Sequence, residues 1–167
     1  VMLSLVADFS EYQFVIAGAP SQDFSFYKGI IGGREVAFIN NKTYDLLSIS
    51  YAALVASGTA TLETALFKVP QVVCYKGGSV SYQIAKRIIT LKFISLVNLI
   101  LEKEVVKELI QDDFNKRNLK NELINILDAS CRENMFLNYF DLEKKLGGKG
   151  ASENVAKQIV AALKTQT

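Results

Sequence analysis

Short apolar runs alternate with helical patterns through roughly the first hundred residues, and this alternation restricts the fold more than anything else in the chain. "QFVIAGAP" (13–20) is continuously apolar until Ala-Pro closes it, as expected of a buried strand. "EVAFINN" (35–41) is a second strand, ended by Asn40-Asn41; "ALVAS" (53–57) is a third, "QVVCY" (71–75) a fourth, and "FISL" (93–96) a short fifth. Between them, "YDLLSISYA" (44–52), "TATLETALFK" (59–68) and "SYQIAKRIIT" (81–90) carry helical patterns. Strands separated by helices of this length are the signature of βαβ units and a parallel sheet.

After Asn98 the strand pattern stops. "EKEVVKELIQ", "KRNLKNELINILDAS", "ENMFLNYFDLEKKL" and "SENVAKQIVAALK" repeat apolar residues at spacings of three and four, which predicts four amphipathic helices. Asn115 is placed to cap the second of them. The glycines of "LGGKGAS" would end the third, with Ser152 capping the fourth. The expected organisation is an α/β lobe over about 1–100 and a helical tail over about 101–167. "VMLSLVADF" is too short and too poor in basic residues for a signal peptide; it reads as the end of an amphipathic helix that starts upstream of Val1.

Composition removes several classes of function. Nineteen Lys and Arg against 17 Asp and Glu leave a net charge of +2, and Lys86-Arg87 and Lys144-Lys145 are short basic groups on helical faces, so no nucleic-acid surface is expected. The chain has no histidine, the commonest general base and metal ligand. Cys74 and Cys131 are far apart in apolar or amphipathic runs and read as two buried thiols, not a disulfide or a metal pair. No run reaches the ~18 to 20 apolar residues of a membrane-spanning helix.

One turn stands out. In open parallel sheets, ligands bind beyond the C-terminal ends of the strands. "ASGTATLETALFKVP" (56–70) puts Ser57, Gly58 and Thr59 at such an end and leads directly into a helix. The first amides of that helix lack partners and carry partial positive charge. Gly58 permits close approach to the backbone, and the two hydroxyls add hydrogen bonds, which suits a phosphate or diphosphate. Glu63 lies one helical turn beyond Thr59, where a carboxylate would meet a neutral diol such as a ribose. The alternative is a tight turn followed by a solvated acid. The stretch contains neither G-x-G-x-x-G nor a P-loop motif, so it predicts neither a dinucleotide fold nor a P-loop.

"ASGTATLETAL", "PQVVCYK", "AKRIITLKFISLVNLI" and "EVVKELIQDDF" occur in the order and spacing of the lipid-A-disaccharide synthase family, and the likeness continues more weakly into "LGGKGASENVAKQIV". The resemblance runs from about Tyr44 to the C-terminus. It implies the C-terminal, Rossmann-like lobe of a two-lobed GT-B glycosyltransferase, with C-terminal helices bracing it. It implies inverting transfer of 2,3-diacylglucosamine from UDP to 2,3-diacylglucosamine 1-phosphate (lipid X), without a metal or other cofactor. The reaction would take place on the cytoplasmic face of the inner membrane, giving the β-1,6 disaccharide of lipid A.

Carried over residue by residue, the resemblance assigns Ser57, Gly58, Thr59, Ala60, Thr61 and Glu63 to the UDP-sugar, with Tyr75, Lys76 and Asn98 beside them. Val97 stands where the family has proline, which puts the rigidity of the loop before Asn98 in question. The family's catalytic acid and acceptor-binding lobe have no counterpart here, so no catalytic residue is expected in this chain and it is expected to be inactive alone. An uncovered inter-lobe face is expected to pair two lobes as a homodimer. The other readings are the matching lobe of another UDP-sugar enzyme, a UDP-GlcNAc 2-epimerase or an undecaprenyl-linked GlcNAc transferase, and a non-catalytic anion-binding α/β module. The two enzyme families usually place a histidine or a Gly-Gly run near the turn.

Overall fold

A computed structural model of the chain describes residues 1–19, 21–56, 58–77, 92–147 and 150–164. Its strands form two parallel sheets. β1 (Val15–Gly18) pairs with β2 (Ala37–Asn40), Val15 opposite Ala37. β3 (Ala53–Ala56), β4 (Gln71–Tyr75) and β5 (Lys107–Ile110) form the other sheet in that order, with Cys74 opposite Ala56 on one side and Leu109 on the other. The architecture is a Rossmann-like α/β lobe with open parallel sheets, as the alternating pattern predicts.

Two assignments are corrected. "FISL" is not a strand: Phe93 and Ile94 lead into α4 (Leu96–Leu101), with Ser95 as its N-cap accepting from the Asn98 amide. The fifth strand lies inside "EKEVVKELIQ", read from sequence as a helix, so the sheet extends past residue 100. Apolar residues at 105, 106, 109 and 110 fit a helical face. Pairing with β4, whose Val72 and Val73 are fully buried, decides the matter by giving this segment backbone partners and a place in the core.

The remaining helices follow their local signals. α1 (Phe24–Ile31), absent from the sequence reading, is capped by the Asp23 carboxylate and closed by Gly32 at φ 58°. α2 (Thr43–Ile49) follows β2, and Asn41 turns the chain there at φ 54°. α3 (Thr59–Leu66) ends ahead of Pro70, with Lys68 in the left-handed region at φ 60°. Asn115 caps α5 (Lys116–Leu127) as expected, and Asp128 both ends α5 and caps α6 (Ala129–Lys145). α7 (Ala151–Lys164) already includes Ser152, so that residue is not the cap. The N-terminal stretch is a 3-10 helix, Met2–Asp8, rather than the end of an α-helix. The expected helix over "SYQIAKRIIT", with Lys86-Arg87, lies outside the described residues.

The core gathers on the three-stranded sheet. Val72, Val73 and Leu109 pack with Leu5 and Phe9, with Leu119, Leu123 and Ile126 of α5, and with Val97, Met135, Tyr139 and Leu142. Burial of these side chains is the main source of stability in such a layer. α5 contacts β4, β5 and the 3-10 helix, whereas α3 and α4 contact each other and both touch α6. Cys74 belongs to this core, and burial pushes its thiol up to about 12; Cys131 is half-buried, and both thiols are free. Among the described residues no helix is long and apolar enough to cross a membrane.

Candidate functional site

β3 delivers the chain to Gly58, which precedes α3 with φ 116° and ψ −159°. That region is essentially restricted to glycine. A Cβ added there would meet nothing within 4 Å. Glycine is therefore required by the backbone conformation, and the space over it is open. Thr59 and Ala60 are exposed, and their amides have no hydrogen-bond partner among the described residues. The turn thus presents an accessible helix N-terminus with unspent donors. Ser57 lies outside the described residues.

Thr61 has a different place from the one the motif suggests. It is wholly buried, and its hydroxyl donates to the Gly58 carbonyl at 2.8 Å, joined there by its own amide at 3.2 Å. Thr64 repeats the arrangement one turn on, donating to the Ala60 carbonyl at 2.7 Å. These back-bonds let two hydroxyls enter the core without an unpaired polar group. Thr61 shapes the turn from beneath. Glu63 is half-buried, and its carboxylate has no hydrogen bond or ion pair among the described residues.

The sheet register brings Tyr75 to the same edge, one residue beyond the Ala56–Cys74 pair and opposite Ile110. Neighbouring strands lie about 4.8 Å apart. The Tyr75 ring covers Gly77, whose added Cβ would come within 2.7 Å of the phenol oxygen. Gln111, in the left-handed region after β5, donates to the Gly77 carbonyl at 3.2 Å. Lys76 is exposed. The edge therefore joins the Gly58 turn, Tyr75 and Lys76.

Asn98 is not brought to this edge. It is fully buried, and its amide donates to the Val106 carbonyl at 2.8 Å and to the Glu108 carboxylate at 2.9 Å. Its oxygen accepts from the Val105 and Val106 amides at 2.8 and 3.0 Å. Those residues precede β5, at the opposite end of the strand from Ile110. Two donors and two acceptor positions are all an asparagine amide has, so every one is engaged.

Glu108, missed from sequence because the segment reads as a helix with a solvated acidic face, also accepts from the Ile94 and Ser95 amides, each at 2.9 Å. Val97, at the family's proline position, lies in the first turn of α4, not in a loop, and the entry to that helix is held by this carboxylate and by the Ser95 cap.

Parallel strands, flanking helices and an open glycine turn at the sheet's C-terminal edge define a Rossmann-like lobe of the kind found in GT-B glycosyltransferases. The family model described as lipid-A-disaccharide synthetase matches residues 30–162. The chain is 36% identical over 156 residues to the lipid-A-disaccharide synthase of Syntrophus aciditrophicus (strain SB), covering 91% of this chain and 41% of that protein. Against the enzyme of the same name from Geobacter sulfurreducens it is 35% identical over 135 residues, covering 80% of this chain and 35% of the relative. Against that of Acidobacterium capsulatum it is 41% identical over 102 residues, covering 60% and 26%. The chain belongs to the lipid-A-disaccharide synthetase family, and it spans about two fifths or less of the length of these curated relatives.

Proposed function

We propose that this chain is the donor-binding lobe of a glycosyltransferase that makes the lipid A disaccharide, and that the Gly58 turn holds the diphosphate of a UDP-sugar. One observation carries the reading: Gly58 is fixed in a glycine-only conformation with open space over it, where amides without a partner among the described residues start a helix at the edge of a parallel sheet. The Thr59 and Ala60 amides would bind the diphosphate, with the Thr59 hydroxyl, Ser57 and Lys76 adding donors. Glu63, half-buried and without a partner among the described residues, is the acceptor for the ribose hydroxyls. Tyr75 closes one wall. Thr61 and Asn98 serve as braces.

The donor in this reading is UDP-2,3-diacylglucosamine, and lipid X reaches it through a second lobe. That lobe supplies the catalytic acid, so the chain alone forms no disaccharide. The complete enzyme acts at the cytoplasmic face of the inner membrane, without a metal, whereas the isolated chain pairs as a homodimer through its uncovered inter-lobe face. Family membership favours this over the epimerase and undecaprenyl-linked transferase lobes. A bare anion-binding module would bind UDP and inorganic diphosphate alike. Titration calorimetry with UDP, UMP and diphosphate separates the readings. Tighter binding of UDP than of diphosphate supports a nucleotide site; equal binding supports the anion module; no binding of any of them removes the proposal.

A further inference from the structure

Gln71 opens β4 and is wholly buried. Its amide nitrogen donates to the Thr61 carbonyl at 2.9 Å and lies 3.4 Å from the Tyr139 hydroxyl of α6. The carbonyl of Thr61 can only accept, which fixes the amide with its nitrogen on that side. The amide oxygen is then left buried without a partner, and it is the one such side-chain atom among the described residues. A methionine of similar shape would fill the space without this orphaned oxygen, leaving the buried Tyr139 hydroxyl without its Gln71 partner instead. Core packing therefore gives no reason for glutamine here.

What glutamine does provide is a polar chain that ends at the turn. Tyr139 meets Gln71, Gln71 holds the Thr61 carbonyl, and the Thr61 hydroxyl and amide both hold the Gly58 carbonyl. The Gly58–Thr59 peptide is planar and trans, so its N–H points opposite to its C=O. Clamping the Gly58 carbonyl inward toward Thr61 turns the Thr59 N–H outward, to the open side of the turn. Burial holds the Tyr139 hydroxyl protonated well above the ordinary tyrosine range, so this end of the chain stays neutral at working pH.

We propose that Gln71 is a positioning residue for the anion-binding turn, aiming the Thr59 amide through Thr61 and anchored from α6 by Tyr139. The inference rests on the diphosphate reading of the turn. It adds that affinity at this site depends on a buried residue that touches no ligand.

The test measures melting temperature together with UDP and diphosphate affinities of the chain. Gln71→Met exchanges one buried orphaned oxygen for another, the Tyr139 hydroxyl, so the melting temperature should change little, while both affinities fall by about three- to tenfold, the size expected when one hydrogen bond to a charged group is misdirected. Thr61→Val should weaken both ligands similarly, and adding it to Gln71→Met should weaken them little further, because both changes cut one chain. Thr61→Ser, which keeps the hydroxyl, should restore binding. A folded Gln71→Met protein with wild-type affinities overturns the proposal. Should Gln71→Met not fold, Tyr139→Phe removes a single oxygen from the same chain; weaker binding of both ligands supports the proposal and unchanged binding overturns it. Failure of the wild-type chain to bind either ligand is a separate outcome, which removes the diphosphate reading and this inference with it.

Discussion

Asn98 and Glu108 meet at 2.9 Å, amide nitrogen to carboxylate oxygen, and through that contact a strand organises the start of a helix. The same carboxylate accepts from the Ile94 and Ser95 amides, so three donors at the entry to α4 converge on Glu108. Glu108→Ala would leave those donors without their acceptor inside the fold. We expect a loss of about 2 to 3 kcal/mol in urea unfolding, with Glu108→Gln intermediate because it keeps one carbonyl oxygen.

Asn98→Asp provides a sharper test of the same pair. The new carboxylate still accepts from the Val105 and Val106 amides but faces Glu108 with like charge. Such a pair raises the folded-state pKa of one member, so the destabilisation is full at neutral pH and is relieved as pH falls and that member takes up a proton. Thermal melts from pH 7 to 4.5 should show the gap to wild type narrowing. A gap that stays constant or widens contradicts the contact.

This pair also marks where the sequence stops being legible. The parallel sheet, the Gly58 turn, the Asn115 cap and the amphipathic character of α5 and α6 follow from periodicity and local chemistry. β5 does not: the apolar residues at 105, 106, 109 and 110 fit a helical face, and only pairing with β4 shows the strand. "FISL" is apolar enough for a strand, yet Ser95 and the distant Glu108 make it a helix entry. α1 was legible in principle, since Asp23 before it and Gly32 after it are a cap and a stop. In the site, Gly58 and its open face were readable. The inward turn of Thr61 and the full engagement of Asn98 were not, because their partners are brought near only by the fold.

Gly58→Ala should act through the backbone. Its Cβ meets open space, so the cost is that of holding a non-glycine residue at φ 116°, on the order of 1 to 3 kcal/mol. Relaxation of that strain moves the Thr59 amide. Calorimetry should therefore show UDP and diphosphate weakened together, and denaturant unfolding should show the stability loss.

Asp128 gives the α5–α6 junction an acid-sensitive cap. The Ser130 hydroxyl, then the Cys131 and Ser130 amides, hold its carboxyl below the ordinary 3.8. An acid with a lowered folded-state pKa stabilises the fold above its unfolded value and loses that contribution as pH falls through the lower, folded one. Asp128→Asn, which can still cap, should lower the melting temperature at pH 7, and the difference from wild type should shrink below pH 3.8. A difference that persists unchanged to pH 2.5 contradicts a role for the charge.

The central claim is that the Gly58 turn and Glu63 together recognise a nucleoside diphosphate. The most direct measurement is the affinity of the chain for UDP and for inorganic diphosphate, before and after Glu63→Gln. A hydrogen bond from a ribose hydroxyl to a carboxylate contributes about 1.5 to 3 kcal/mol, of which the neutral amide keeps a part, so UDP should weaken by roughly three- to tenfold. Diphosphate has no ribose and should bind unchanged or slightly tighter, one negative charge having been removed nearby. If Glu63→Gln leaves UDP affinity unaltered, or weakens both ligands equally, Glu63 does not hold the ribose and the nucleotide reading of the turn is contradicted.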